Sequence, residues 1–302
     1  MGLFDKFFGK PKSASPQKSY GPQTKKLDVS ARFRLDRHAY TGTMSRFHVA
    51  KEIGTGKLVG IKFLDAEKMA YFNSRFKGLN KPHEGEIALR IVHPRIVVTY
   101  EYGVTTNNEE YIMMEYINGP GLDTVIRQRD PNAFPDRLLL IRQMAEAIQA
   151  VHDHGFIHRD VCPRNFICGR DHSFVKMIDF GLTVPDTPPF RQPGNRTGTP
   201  QYMAPEIVRR RTTSTRLDVF SFGVTVYRLL TFEHPWSSTD TTGKAALIHD
   251  TEKPTPITEH RPDLNKKLAD AIHRCLQPNP DLRIASCKAF LGAISSVKNE
   301  TE

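Results

Sequence analysis

Three short strings fall in order through the middle of the chain: His158-Arg159-Asp160, Asp179-Phe180-Gly181 and Ala204-Pro205-Glu206. Asn165 follows Asp160 by five residues. Any one of these tripeptides can arise by chance in 302 residues; all three, in this order and at these intervals, do not. They constrain the chain more tightly than any bulk property, and every other reading has to accommodate them.

The apolar patterning changes character along the chain. Leu58 to Leu64 and Tyr111 to Glu115 are apolar runs of strand length, and Glu84 to Val92 has helical spacing at Ile87, Ala88 and Ile91. Beyond Leu122 the patterns turn helical, at Arg137 to His152, Arg216 to Leu230 and Leu264 to Cys275. Strands first and helices after predict an α+β arrangement in segregated lobes. The expected boundaries are a disordered basic tail over 1–27, a small β-rich lobe over 28–116, a larger helical lobe over 117–296 and a short tail over 297–302.

Composition narrows the class. Hydrophobic residues make up 38% and charged residues 25%, as in an ordinary globular protein. The longest apolar stretch, Val219 to Phe232, is interrupted by Ser221, Gly223, Thr225 and Arg228, and so predicts a buried helix and not a membrane span. Met1 to Lys10 lacks the uncharged apolar core of a secretory signal. Cys162, Cys168, Cys275 and Cys287 lack metal-ligand spacing, which points to a reduced, cytoplasmic setting. The net charge of +10 is concentrated before residue 27 and at Arg209-Arg210-Arg211, with no nucleic-acid module signature, so no specific nucleic-acid partner is expected. Leu3, Phe4, Phe7 and Phe8 share one helical face beside several lysines, a pattern suited to weak docking on a membrane or a partner. A peripheral membrane location would follow from it. Pro11, Pro16 and Pro22, among Ser, Gln and Lys, mark residues 11–26 as a linker.

Together the three strings resemble the catalytic loop, the metal-binding loop and the end of the activation segment of eukaryotic-type (Hanks-type) protein Ser/Thr kinases, over roughly residues 35 to 295. The resemblance implies a bilobal protein-kinase-like fold and an enzyme that transfers the ATP γ-phosphoryl group to Ser or Thr of protein substrates. ATP and Mg²⁺, or Mn²⁺ in its place, would be the cofactors. Asp160 would then be the base at the substrate hydroxyl, with Asn165 and Asp179 as oxygen ligands for the metal. Val59-Gly60-Ile61-Lys62 resembles the family's Val-Ala-Ile-Lys string, which makes Lys62 the phosphate clamp. Its carboxylate partner is Glu84, nine residues before His93-Pro94, or Glu86, two residues off that register; the interval favours Glu84. Met113 to Gly119 resembles the hinge between lobes. Met114 would guard the back of the pocket, and the backbone of Glu115 and Ile117 would meet adenine.

Elsewhere the chain departs from the family. The phosphate-covering loop, Tyr40 to Phe47, should carry Gly at 40, 42 and 45 and Val at 47, yet only Gly42 remains. Phe47 would then lie over adenine as a larger apolar lid, and nucleotide use would be weaker or slower. Cys162 stands where Ser/Thr kinases keep a lysine, and Arg164 where many have a glutamate, so Arg164 is expected to restore the missing cation. Gly198-Thr199-Pro200 resembles the Ser/Thr version of the substrate-docking loop, with Thr199 on the catalytic Asp. Arg159 would pair with an activation-segment phosphate, and Thr197 is the expected autophosphorylation site. Glu206 with Arg283, and Asp218 under the catalytic loop, are expected scaffold contacts.

Two other functions compete. A pseudokinase scaffold with weakened nucleotide binding would explain the degenerate loop and Cys162, but not the retention of Lys62, Asp160, Asn165 and Asp179. A small-molecule phosphotransferase would leave Thr199-Pro200 and Ala204-Pro205-Glu206 without a purpose.

Overall fold

The computed structural model describes residues 21–301, apart from Thr43, 131–132, Asn195 and 237–244. Leu3, Phe4, Phe7 and Phe8 lie outside the described residues.

The N-terminal part is one six-stranded sheet, made of β1 (Gly21–Pro22), β2 (Phe33–Thr41), β3 (Ser45–Glu52), β4 (Leu58–Leu64), β5 (Thr99–Val104) and β6 (Glu110–Glu115), in the order β1-β5-β6-β4-β3-β2. Both apolar runs read as strands from the sequence are there. One expectation needs correction: the linker composition of residues 11–26 does not keep Gly21 to Leu27 away from the fold. β1 pairs parallel with β5, the Gln23 N–H donates to Tyr102 O at 2.8 Å, and the Leu27 N–H to Val104 O at 2.9 Å. The reason is the row of unpaired N–H and C=O groups that the edge of β5 would otherwise present. Backbone supplies those bonds, so a Pro- and Lys-containing segment can make them.

Short helices α1 (Val29–Arg32), α2 (Ala66–Asn73) and α3 (Glu84–Arg90) accompany the sheet. Side chains stop their N-termini: Asp28 accepts from the Ala31 N–H, Asp65 from the Lys68 N–H, and His83 Nδ1 from the Gly85 N–H. In α3 the predicted apolar positions Ile87 and Ala88 are buried, and Ile91 is buried just past its end.

The C-terminal part is helical: α4 (Leu122–Arg127), α5 (Arg137–Asp153), α6 (Pro205–Val208), α7 (Arg216–Thr231), α8 (Ile257–His260), α9 (Lys266–Cys275) and α10 (Cys287–Ala293). The interrupted apolar stretch is α7, buried along nearly its whole length as the centre of this core. Its Ser221, Thr225 and Thr231 hydroxyls donate to carbonyls four residues back, so none costs an unpaired buried donor. Two short ribbons, β7 (Phe156–Ile157) with β10 (Val184–Pro185) and β8 (Phe166–Cys168) with β9 (Val175–Met177), lie between the helices and the cleft. No helix among the described residues is long and apolar enough to cross a membrane.

Candidate active site

The cleft between sheet and helices collects the sequence strings. Lys62, on β4, reaches Glu84 Oε1 on α3 at 2.5 Å and Asp179 Oδ1 at 2.9 Å. This separates the two competing glutamates: Glu86 points the other way and pairs with Arg90 one turn on, at 3.7 Å. Burial disfavours the Lys62 ammonium, but Asp179 and Glu84 outweigh that cost and hold it above its ordinary value. Burial likewise acts to raise Asp179, and the Lys62 charge overrides it, keeping the carboxylate ionised. Phe180 is buried against the edge of the His158 ring, which locks the loop in this orientation.

The catalytic loop is held from below. Asp218, fully buried on α7, accepts the His158 and Arg159 N–H groups at 2.8 Å each, and His152 Nε2 lies 2.8 Å from the same carboxylate. Those bonds oppose burial and keep the Asp218 carboxyl below its usual range. They also fix Arg159 at φ 70°, a left-handed conformation that a non-glycine residue adopts only when its surroundings impose it. His152 was not read from the sequence as a site residue. Its place on the α5 face turned to α7 was the available signal.

Above this scaffold Asp160 is surrounded. Its Oδ1 accepts both the N–H and the hydroxyl of Thr199, at 2.8 and 2.7 Å, and Asn165 Nδ2 donates to its Oδ2 at 3.0 Å. Gly198 makes the Thr199 position reachable, because at φ 123° a Cβ there would stand 2.8 Å from Arg159 O. Arg164 donates to Thr199 Oγ1, and the buried Cys162 Sγ lies 3.6 Å from the same hydroxyl. Burial, reinforced by Asp160, pushes the Cys162 thiol up to about 12, so it is neutral at physiological pH.

Asn165 and Asp179 are an amide and a carboxylate, a hard oxygen pair suited to Mg²⁺. Lys62 Nζ and the Gly181 N–H both donate to Asp179 Oδ1, at 2.9 and 3.0 Å. Among the described residues no group of three or more His, Cys, Asp or Glu could hold a metal. A cation here would therefore complete its shell from phosphate and water, as Mg²⁺ prefers.

The hinge runs from β6 to Gly119. Met114 is buried, and the Glu115 carboxylate accepts from Lys176 Nζ at 2.5 Å and from the Val98 N–H at 2.9 Å. The Ile117 carbonyl already accepts the Gly119 N–H at 3.0 Å and has one lone pair remaining. In the phosphate-covering loop Gly42 N–H donates to Ser45 O in a tight turn, and the Met44 methyl reaches down beside Gly181. Phe47 leans onto Gly60.

The activation segment carries Thr197 in a buried position, and its hydroxyl lacks a hydrogen-bond partner among the described residues. Arg159 is buried too. Burial lowers its pKa to about 10, Asp218 acts against that, and the Arg75 charge adds to the lowering. Farther along, Phe190 packs on Phe76 with ring centroids 5.6 Å apart, joining the segment to the stretch before α3. That contact was not read from the sequence. Glu206 and Arg283 form a bidentate buried pair at 2.8 and 3.1 Å, with Arg283 also donating to the Arg216 and Gln277 carbonyls.

Comparison with known proteins agrees with this geometry. The model of the family described as protein kinase domain matches residues 36–292. The chain is 29% identical to the serine/threonine-protein kinase pkn3 of Myxococcus xanthus, over 90% of the chain and 51% of that protein. It is 32% identical to the serine/threonine-protein kinase PknB of Mycolicibacterium smegmatis, over 84% of the chain and 41% of that protein. With the serine/threonine-protein kinase PknA of Mycobacterium tuberculosis the identity is 31%, over 90% and 62%. The chain thus spans about half the length of the curated relatives it matches. With its three strings, its cleft and a match covering most of its length, the chain belongs to the protein kinase domain family.

Proposed function

We propose that the chain is an ATP-dependent protein Ser/Thr kinase. The observation that carries this reading is the joined pair of clusters on either side of the cleft. Lys62 bridges Glu84 and Asp179, and Asp160 is held by Thr199 and Asn165. Phosphoryl transfer asks a protein mainly to position groups and neutralise charge, and these residues do both.

In this reading Lys62, fixed by Glu84, holds the α- and β-phosphates, and the backbone of Glu115 and Ile117 meets the base under Phe47 and beside Met114. Gly42 lets the loop approach the phosphates. Asn165 and Asp179 would hold Mg²⁺, or Mn²⁺ in its place, which would offset the phosphate charge when bound. Asp160 orients the incoming Ser or Thr hydroxyl and accepts its proton, with Thr199 and Arg164 beside it. Glu206 and Arg283 anchor the docking loop, and Asp218 anchors the catalytic loop. Thr197 is the acceptor for autophosphorylation, and Arg159 the cation that would meet its phosphate. Protein substrates are the partners, and four buried free cysteines suit a reduced, cytoplasmic location.

The test is incubation of the purified protein with labelled ATP and Mg²⁺, beside D160N and D179N. Label on Ser or Thr that disappears in both variants is the expected result. No label in the wild type, with or without an added protein substrate, would overturn the reading.

A further inference from the structure

Glu84, the carboxylate that Lys62 reaches at 2.5 Å, is the first residue of α3. A helix leaves its first N–H groups without partners of their own, so the backbone at its first residue has to be steadied from outside. Lys81 precedes Pro82, which keeps it out of helical conformation, and no earlier turn leads into α3.

The residues on either side of Glu84 both meet one ring. Tyr102, on β5, stacks on the His83 ring with centroids 4.9 Å apart and planes within 20° of parallel. It also covers Gly85 so closely that a Cβ there would stand 2.4 Å from Tyr102 Cγ and 2.5 Å from its Cβ. Real Cβ contacts do not come under 3.0 Å, so only glycine lets the helix lie this near the strand. His83 in turn accepts the Gly85 N–H at Nδ1, and its carbonyl accepts the Ile87 N–H, the first bond inside α3; both are 3.0 Å.

Tyr102 is itself held on both sides. It stands opposite Pro22 on β1 and Ile112 on β6, and its carbonyl accepts the Gln23 N–H at 2.8 Å. Ile112 is opposite Lys62 on β4. Residues opposite one another in a sheet point to the same face, so Tyr102, Ile112 and Lys62 form one row across three strands. The start of α3 thus rests on the ring at one end of this row, and Glu84 meets the lysine at the other.

We propose that Tyr102 is a positioning residue for the phosphate clamp: its ring holds His83 and Gly85, and so sets the Glu84 carboxylate against Lys62. This rests on the kinase reading of the cleft. Stacking fixes the His83 ring and with it the cap on Gly85, while the close seat on Gly85 fixes the distance from helix to sheet. Without the ring, the start of this seven-residue helix is free to turn, and the Glu84 carboxylate leaves the lysine. The contacts are made by the ring, so phenylalanine serves in its place.

The test is steady-state kinetics with ATP, Mg²⁺ and a Ser/Thr peptide on wild type, Y102F, Y102A, G85A, G85A/Y102A, E84Q and E84Q/Y102A, with melting of each protein as the check on folding. Y102A is expected to lower kcat about tenfold, the size of one aromatic contact, while the peptide KM holds and Y102F keeps the wild-type rate. G85A is expected to lose about as much, because the new methyl drives the ring from its seat. In G85A/Y102A that methyl has room, and the rate is no lower than in Y102A. Beside E84Q, Y102A is expected to add no further loss, since the ring acts through that carboxylate; a ring that only stabilised the sheet would add the same loss in either background. A folded Y102A protein at the wild-type rate, or losses that multiply with E84Q or with G85A, would overturn the role while leaving the kinase reading intact. A folded wild type that phosphorylates neither itself nor the peptide would instead overturn the kinase reading, and the role with it. If E84Q leaves no measurable rate, G85A against G85A/Y102A decides; if Y102A fails to fold, G85A against E84Q/G85A does.

Discussion

Arg164 donates to Thr199 Oγ1 at 3.0 Å, and that same hydroxyl donates to Asp160 Oδ1 at 2.7 Å. The guanidinium is thus one hydroxyl away from the proposed base, and the residue two positions after the base is a neutral buried thiol. If Arg164 is the cation that steadies the transferring phosphoryl group, R164A lowers kcat about ten- to hundredfold, the range for losing one charge-assisted hydrogen bond. R164K should fall between the two, and the KM for ATP should hardly move. Steady-state kinetics with a Ser/Thr peptide check this, and an unchanged kcat in R164A would remove the role.

The Glu206–Arg283 pair is buried on both sides, and Arg283 spends its remaining donors on carbonyls. Removing the carboxylate leaves an uncompensated buried guanidinium. E206A should cost about 3–5 kcal/mol in denaturant unfolding. A cost below about 1 kcal/mol, the size expected of an exposed pair, would show that water reaches the site.

Burial raises the thiols of Cys162, Cys168 and Cys275 to about 12, and that of Cys287 well above its ordinary value. A thiol raised on folding contributes stability below its unfolded value and loses it as pH climbs toward the folded one. The unfolded chain ionises first and is favoured by about 1.4 kcal/mol per thiol per pH unit. Unfolding free energy should therefore fall from about pH 9 upward. A C168S variant should show a shallower fall; an identical slope would show that Cys168 ionises equally well in the folded chain.

Thr197 is buried, and the neighbouring Thr199 occupies Asp160. A chain in this arrangement cannot present Thr197 to its own base, so autophosphorylation at this site should be intermolecular. Its initial rate, followed by mass spectrometry, should rise with the square of protein concentration. A rate first order in protein would mean that the segment folds back within one molecule.

What could be read from the sequence was local chemistry. Asp160, Asn165 and Asp179 lie in strings whose spacing is set by single loops, and the helical spacing of Ile87 and Ala88 matched α3. The interval to His93-Pro94 already favoured Glu84 over Glu86, and in α3 the two lie on different faces, Glu84 on Lys62 and Glu86 on Arg90. The β1–β5 pairing is made by backbone groups, which a linker-like composition neither reveals nor forbids. Phe47 stands out in one string, while Gly60 sits unremarked in another. Their fit depends on the register of β3 against β4, a property of the pairing and not of either string.

The strand formed by Gly21 and Pro22 covers the edge of β5, and the family match begins only at residue 36. A protein trimmed to that boundary would keep every residue of the proposed catalytic machinery and lose its shield. The bared β5 would offer its N–H and C=O groups to the same edge of another molecule. Such a truncation would be a poor tool for measuring activity, because sheet-to-sheet aggregation could be mistaken for an inactive enzyme.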